Sequence, residues 1–227
     1  MSNLVDNPIL NSAFEEPTRY HHIELDADPV IREGRRPPQY LMARRERKGG
    51  AAQVLHEPVE LELVSRIRER VKNWRESGYP GATRTTRELL EHWRSADRER
   101  PLFFCQLEAA ETILWLTEAP EKERVGVEVP AEHTDSPLSR WCCKMATGSG
   151  KTILMAMLVA WQVLNKLANR QDARFSDAVL VVCPNLTVRD RLRGSDEAAP
   201  GADPERPLIP NAKGNYFESF DLVPRHL

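Results

Sequence analysis

The stretch Met145–Thr152 reads M-A-T-G-S-G-K-T and combines residue types that bind phosphate. Its two glycines allow the backbone to turn tightly and to bring N–H groups against phosphate oxygens. The Lys151 ammonium can reach the β- and γ-phosphates of a nucleotide, and the Thr152 hydroxyl can ligate Mg²⁺. We therefore predict a nucleotide-phosphate loop, with Lys151 and Thr152 as catalytic candidates and Thr152 as the metal ligand. Its predicted cofactor-binding residues are Thr147, Gly148, Ser149, Gly150, Lys151 and Thr152.

A strand before the loop and a helix after it must position these groups. Arg140–Met145 is a short apolar segment that predicts the strand, and Lys151–Ala168 predicts the helix, whose positive N-terminal end adds to the anion site. Ala178–Cys183 is an apolar, β-branched run that ends before Pro184, which is typical of a buried parallel strand. Strand, helix and strand would form a right-handed βαβ unit. The predicted fold class is therefore α/β, with a P-loop.

One position departs from the usual pattern G-x-x-x-x-G-K-[ST], because Met145 occupies the place of the first glycine. Small-molecule kinases and transporter ATPases normally keep that glycine, which disfavours a P-loop enzyme of the kinase class. The form A-T-G-S-G-K-T at 146–152 resembles motif I of superfamily-2 helicases and of the motor subunits of restriction enzymes. That resemblance implies a RecA-like domain with ATP and Mg²⁺ as cofactors.

Gln106 lies upstream of the loop, after the segment P-L-F-F-C and before a predicted helix at Leu107–Thr117. Its amide has the acceptor and the donor that the N6 and N7 edge of adenine requires, and Phe103 or Phe104 can pack on the base. The segment resembles the adenine-recognising Q motif of the same helicases, which implies that Gln106 binds the cofactor. A glutamine that merely begins a helix is the alternative. Glu118–Ser139 is predicted to be an inserted loop.

Pro184–Leu192, P-N-L-T-V-R-D-R-L, follows the second predicted strand. In open α/β sheets ligands bind beyond the carboxyl ends of the strands. The segment resembles motif Ia of the helicases, which touches the nucleic-acid backbone. The resemblance implies that Asn185 and Thr187 donate to phosphate oxygens, with Arg189 nearby. A plain turn followed by a surface helix is the other interpretation that stays open.

The N-terminal part predicts an extended, β-rich arm. Arg19–Leu25 and Pro29–Glu33 suggest a hairpin, with Gln39–Met42 as a possible third strand. His21 and His22 are adjacent on a strand and point to opposite faces, so a shared metal ion is disfavoured. The basic stretch Arg32–Lys48 could bind phosphates or be a solvated linker.

Two amphipathic helices are predicted between the arm and the nucleotide site. In Glu60–Ser77 apolar residues recur at intervals of three or four, and a second helix starts near Thr85, which has capping-box spacing to Glu88. We expect both to pack on the nucleotide domain as an accessory layer. The predicted division is therefore an arm and basic linker at 1–57, accessory helices at 58–100, and the first part of the ATP-binding domain at 101–227.

The composition is that of a globular protein, with 41% hydrophobic and 29% charged residues. The net charge of −2 in 227 residues means that nucleic acid could be bound only through local patches. The four cysteines lack C-x-x-C spacing, so we expect buried, reduced thiols and neither a zinc site nor a disulfide. No signal peptide or bilayer-spanning run is recognised, and a cytoplasmic location is expected.

The resemblance extends from N-P-I-L-N-S-A-F-E-E-P-T-R-Y at Asn7–Tyr20, through Gln106 and the loop, to Gln171–Leu192. The chain is similar to the N-terminal part of a DEAD/DEAH-box helicase of the type III restriction enzyme Res-subunit kind. Such a likeness implies a motor that hydrolyses ATP to move on double-stranded DNA. It also implies a DNA methyltransferase subunit as a partner.

Two parts of such a motor are not recognised in the sequence. Hydrolysis requires an acidic pair after a later apolar strand, and Asp196–Glu197 follows no strand. A second RecA-like lobe, with its arginine finger, is also not recognised, so we expect a domain that is incomplete at its C-terminal side. Two interpretations stay open: the ATP-binding N-terminal part of a helicase or split motor, and a nucleotide-binding remnant that does not hydrolyse ATP.

Overall fold

The computed structural model describes residues 7–23, 28–48, 51–127, 141–193, 207–209 and 213–227. Four strands lie in the N-terminal part and seven helices follow in the described ranges. In chain order these elements are β1 Arg19–His22, β2 Val30–Glu33, β3 Gln39–Lys48, β4 Ala51–Glu60, α1 Glu62–Glu76, α2 Arg84–Arg94, α3 Phe104–Glu118, α4 Glu121–Arg124, α5 Lys151–Ala168, α6 Leu186–Arg193 and α7 Tyr216–Ser219.

The strands form two separate antiparallel hairpins. In the first, β1 pairs with β2 so that Arg19 lies opposite Glu33, which confirms the predicted hairpin. In the second, β3 pairs with β4, with Gln39 opposite Glu60. Gln39–Met42 lies in a strand, as predicted, but this strand does not pair with the first hairpin. A strand that can pair with the segment directly after it closes only a short loop, which costs little entropy.

The accessory helices pack as predicted. Helix α1 packs on α3, and α2 packs on both α3 and α5. Val71 and Trp74 of α1 and Trp93 of α2 are fully buried, because their spacing places them on the faces that meet α3 and α5. The predicted cap of α2 is wrong, since Thr83 Oγ1 accepts the hydrogen bond from the Thr86 N–H at 3.0 Å, whereas Thr85 lies inside the helix.

Helix α5 has the bounds that its sequence predicts and is the centre of the core. It is 18 residues long and packs on α2, α3 and α7. Its buried side chains include Leu154, Met157 and Trp161, and the Trp161 ring meets Phe175 edge-on at 5.5 Å. Burial of such apolar area contributes about 25 cal/mol per Å². The element that follows the candidate loop is therefore firmly anchored.

The two predicted parallel strands and the βαβ unit are wrong. Residues 141–146 and 178–183 have no strand structure, and Arg140 lies outside the described residues. Leu180 and Val182 are 87% and 82% exposed. A parallel strand makes all its backbone hydrogen bonds to neighbouring strands, and the two described sheets contain only antiparallel pairs. The α/β class holds as a mixture of helices and hairpins, without a central parallel sheet in the described residues.

The predicted inserted loop after α3 begins with the short helix α4, and residues 128–139 lie outside the described ranges. The described C-terminal residues 213–227 contain α7 and no strand. They are held against α2, since Trp93 Nε1 donates to the Leu222 carbonyl at 2.8 Å. Within the described ranges, no helix has the length and apolar character needed to cross a bilayer.

Candidate functional site

The candidate loop turns at two left-handed glycines immediately before α5. The φ angles of Gly148 and Gly150 are +79° and +75°, a region that residues with a Cβ rarely adopt. Gly150 is the N-cap of α5 and offers no side-chain cap to the N–H groups of the first turn. Unsatisfied N–H groups at the positive end of an 18-residue helix favour an anion there.

The Lys151 ammonium is folded back over this loop. Its Nζ donates to the Ala146 carbonyl at 2.8 Å and to the Met145 carbonyl at 3.3 Å, and the residue is exposed. Ser149 Oγ also donates to the Ala146 carbonyl, at 2.6 Å. Thr152 follows in the first turn of α5 and is half-buried. The cation is therefore held at the loop by carbonyl oxygens, which are weaker partners than a charged phosphate would be.

Gln106 joins the start of α3 to the loop. Its Oε1 accepts from the Phe103 N–H at 2.9 Å, and its Nε2 donates to the Ser149 carbonyl at 3.0 Å. The residue is 1% exposed. A Cβ on Gly150 would lie 2.1 Å from Gln106 Nε2, so the contact depends on a glycine there. Adenine recognition by Gln106 stays a prediction; in this geometry its amide positions the loop.

The two phenylalanines predicted to pack on a base differ in access. Phe104 is buried beneath the guanidinium groups of Arg35 and Arg75, which lie 5.4 and 5.9 Å from the centre of its ring. Phe103 is half-buried and pairs with the exposed Phe14 at 5.5 Å. Of the two, Phe103 is the ring that a ligand can reach.

The predicted nucleic-acid contacts lie at the start of α6. Asn185 Oδ1 accepts from the Val188 N–H at 2.9 Å, and Arg189 pairs with Asp190 at 2.7 Å, while Thr187 is exposed. No hydrogen bond or ion pair within the described part of the chain joins these residues to the loop. Contact with nucleic acid and a plain capped turn therefore both remain open for this segment.

The prediction of buried cysteines is wrong. Cys105 and Cys142 are exposed, and Cys143 and Cys183 are half-buried. The Cys105 Sγ lies 3.9 Å from the Ser149 carbonyl, beside the loop. Partial burial raises the pKa of the Cys105 thiol and of the Cys143 thiol, which favours the neutral form and makes both poor nucleophiles.

A buried carboxylate that the sequence analysis missed joins α1, α2 and α3. Glu111 is fully buried and accepts from Arg75 Nη2 at 2.8 Å, from Arg94 Nε at 2.6 Å and from the Tyr79 hydroxyl at 3.0 Å. Burial and the Glu111 charge raise the pKa of Tyr79. The signal that could have found this network is a glutamate four residues after Leu107 and three before Leu114, on the apolar face of α3.

A second buried carboxylate, seven residues later on α3, links that helix to α2 and α5. Glu118 accepts from the Thr83 N–H, the Thr86 hydroxyl and Trp161 Nε1, each at 2.7 Å. Asn165 Nδ2 completes the network by donating to Thr86 Oγ1 at 3.0 Å. Because these groups satisfy one another, they fix the orientation of α5, the helix that carries Lys151 at its first position.

Comparison with known families identifies part of the chain. Residues 99–203 of the 227 match the family model described as type III restriction enzyme, res subunit. The match covers Gln106, the loop and the start of α6, and thus every predicted site residue. No curated protein and no solved structure is significantly similar to the chain. Over residues 99–203 the chain is therefore similar to the res subunits of type III restriction enzymes, a helicase-like family within the P-loop NTPases.

Proposed function

We propose that this chain is the ATP-binding N-terminal part of an ATP-dependent DNA helicase or translocase that acts as the restriction subunit of a restriction–modification system. The observation that carries the proposal is the loop at 147–152, with two left-handed glycines, an unsatisfied helix start and the Lys151 ammonium at one place. The family match over 99–203 supports the choice of a DNA motor over other P-loop proteins.

The loop residues would bind the phosphates of ATP. Lys151 would exchange the carbonyls of Met145 and Ala146 for phosphate oxygens, and N–H groups of the loop and of the first turn of α5 would donate to the same anion. Thr152 would contribute its hydroxyl to Mg²⁺. The bound Mg²⁺ would neutralise charge that develops on the phosphates, and a charged side chain from elsewhere would have to complete the site.

The residues present fit the phosphate part of this cofactor better than its hydrolytic part. A Cβ on Gly148 would meet no atom within 4 Å, so space is open beside the loop. Within the described ranges, no group of three or more His, Cys, Asp or Glu side chains could hold a metal ion. The candidate acidic pair Asp196–Glu197 lies outside those ranges.

Because the residues fit phosphate binding better than hydrolysis, a second candidate function is favoured. In it the chain binds ATP and does not hydrolyse it, as a nucleotide-binding module of a truncated or split helicase. The exposed apolar segment 178–183 and the missing parallel sheet in the described residues favour this alternative. Double-stranded DNA, a DNA methyltransferase subunit and the remainder of the motor are partners in the first proposal.

The proposal is tested with ATP·Mg²⁺ on the wild-type chain and on Lys151→Ala. Binding is followed with a fluorescent ATP analogue, and phosphate release is measured with and without double-stranded DNA. We expect Lys151→Ala to abolish binding, because it removes the only loop side chain with a positive charge. The matched control is Lys166→Ala, at the far end of the same helix, which should bind as the wild type does.

Each outcome separates the candidates. Turnover that DNA stimulates and that Lys151→Ala abolishes would support the motor. Lys151-dependent binding without turnover would support the binding module. Binding that is absent, or that is indifferent to Lys151, would overturn the assignment of the loop and both candidates with it.

A further inference from the structure

A groove of about 680 Å³ lies between the N-terminal arm and α1, apart from the candidate nucleotide loop. Four arginines line it: Arg19 of β1, Arg35 and Arg36 after β2, and Arg68 of α1. Among the residues that the structure describes, none that lines the groove is an aspartate or a glutamate. We call these four arginines and the surface between them the arginine groove.

Most of this positive charge is not neutralised within the described part of the chain. Only Arg35 has carboxylate partners there, Glu108 of α3 and, at 3.9 Å, Glu16. Arg19 donates to the Leu10 carbonyl at 3.2 Å, and Arg68 donates to the Arg36 carbonyl at 3.5 Å. Three guanidinium groups without a carboxylate partner among the described residues give this groove a local positive charge in a chain of net charge −2, which favours an anion there.

Hydrogen bonds within the protein fix the segments that line the groove, so the groove is preformed. Asn11 Oδ1 accepts from the Thr18 and Arg19 N–H groups at 2.9 and 3.1 Å, and Asn11 Nδ2 donates to the Arg19 carbonyl at 2.8 Å. The Leu61 N–H, just before α1, donates to the Pro38 carbonyl at 2.8 Å. A preformed site loses less conformational entropy on binding than a flexible arm does.

Two groups in the groove are poorly satisfied without a ligand. Burial lowers the pKa of Arg68, and the charge of Arg35 lowers it further, so the two cations repel each other across the groove. The Nδ1 atom of His21 is buried and has no hydrogen-bond partner among the described residues. An anion between Arg35 and Arg68 would relieve the repulsion.

We propose that the arginine groove binds the phosphate backbone of a nucleic acid. Arginine forks match the geometry of phosphate oxygens, and the half-buried Tyr20 provides a ring beside them. The choice of nucleic acid among polyanions rests on the proposed function as a DNA motor. The surface differs from the segment at 185–189, and its contacts are to phosphates, so no sequence specificity follows from them.

A second groove of the molecule shows that arginines alone do not make such a site. It has a volume of about 990 Å³ and lies between α2 and the C-terminal residues. Its described lining includes Arg98, Arg100 and Arg225, but also five carboxylates, those of Glu88, Glu91, Glu99, Glu218 and Asp221. The excess of carboxylates there would repel a polyanion, whereas the described lining of the arginine groove contains no carboxylate.

The test measures binding of a fluorescent duplex of about 20 base pairs and random sequence to the full chain, without nucleotide, between about 50 and 200 mM salt. The groove variant is Arg36→Ala with Arg68→Ala. The matched control is Arg70→Ala with Arg87→Ala, which removes the same charge from exposed positions outside the groove. We expect the groove variant to lose at least about tenfold in affinity, with the salt slope reduced by about 2, and the control to be unchanged.

Three results would overturn the proposal. The first is a wild-type chain that does not bind the duplex, and the second is an equal loss in the control pair. The third is displacement of the duplex by polyglutamate as effectively as by unlabelled DNA, which would indicate an acidic protein ligand. If the double variant does not fold, Arg36→Ala alone, at an exposed position, should reduce the slope by about 1. Lys151→Ala separates the two proposals, since it should remove ATP binding and leave duplex binding intact.

Discussion

Helix α5 and the segment 178–183 are both rich in apolar residues, yet the helix buries apolar side chains and the segment exposes its own. In α5, Leu154 is 4% exposed and packs in the core, whereas Leu180 in the segment is 87% exposed. A helix satisfies its backbone hydrogen bonds within itself, and it needs only a neighbouring face to bury its side chains. A parallel strand needs other strands for both purposes.

The surroundings of the candidate loop also differ between packed and open regions. On one side, Gln106 and the buried carboxylates of α3 fix the loop and α5 with contacts from nearby helices. On the other side, an apolar cavity of about 810 Å³ borders Lys151 and is lined by Ile113, Met155 and Leu158. Contacts from α3 therefore fix the loop, while an open apolar cavity lies beside Lys151.

The largest effect is expected where a buried charge loses its partner. Glu111→Ala leaves the Arg75 and Arg94 guanidinium groups unpaired at the junction of α1, α2 and α3, and should reduce the free energy of unfolding by roughly 3–5 kcal/mol. Urea unfolding measures the change. Glu91→Ala, at an exposed position of α2, is the control and should change it by less than about 0.5 kcal/mol. Equal losses in the two variants would contradict the role of the network.

A direct comparison of two leucines tests the contrast itself. Leu154→Ala removes a buried side chain of α5 and should cost about 2–5 kcal/mol of unfolding free energy. Leu180→Ala removes an exposed side chain and should cost less than about 0.5 kcal/mol. Urea unfolding of both variants measures the two losses of unfolding free energy in parallel. A loss for Leu180→Ala as large as that for Leu154→Ala would show that the segment is buried in solution.

The elements that the sequence predicts well are those with local signals. The periodicity of apolar residues locates α1 and α5, because a helix buries whichever face its own spacing makes apolar. The same reasoning fails for 178–183, since an apolar β-branched run has the composition of a strand whether or not a partner strand is present. It also fails for Gln39–Met42, where the composition does not tell which strand is the partner.

For the candidate site, too, the sequence predicts the local features and not the contacts between residues distant in the chain. The sequence identifies the loop, since glycine, lysine and threonine at this spacing carry their chemistry with them. It does not show that Gln106 bridges Phe103 and Ser149, because that contact joins residues 43 apart in the sequence. Phosphate binding is one of two interpretations of the basic stretch Arg32–Lys48, which contributes only Arg35 and Arg36 to the arginine groove. The sequence does not show that Arg19 and Arg68 join them, because that requires β1 and α1 to lie side by side.

Two glycines of the loop provide a matched pair for testing the Gln106 contact. Gly150→Ala places a Cβ 2.1 Å from Gln106 Nε2 in addition to the left-handed strain, whereas Gly148→Ala meets nothing within 4 Å. We expect Gly148→Ala to cost about 1 kcal/mol and Gly150→Ala to cost about 1–3 kcal/mol, with the larger loss of ATP-analogue binding. Equal costs would mean that Gln106 moves aside freely and does not position the loop.

The smallest effect is expected at the solvent-exposed side of the helical core. The Arg84 guanidinium lowers the pKa of Glu88 through a hydrogen bond of 2.7 Å, and His226 contributes a second hydrogen bond. A carboxyl whose pKa is lower in the folded state stabilises the folded state at every pH above the ordinary pKa of about 4.3. This stabilisation disappears as the pH falls through the lower pKa of the folded state. The difference in unfolding free energy between wild type and Glu88→Gln, measured from neutral pH down to about 3, should therefore shrink as the pH falls. High salt should reduce it too, because the pair is exposed and its charges are screened. If the difference in unfolding free energy stays constant with pH, Glu88 contributes through the packing of its side chain and not through its charge.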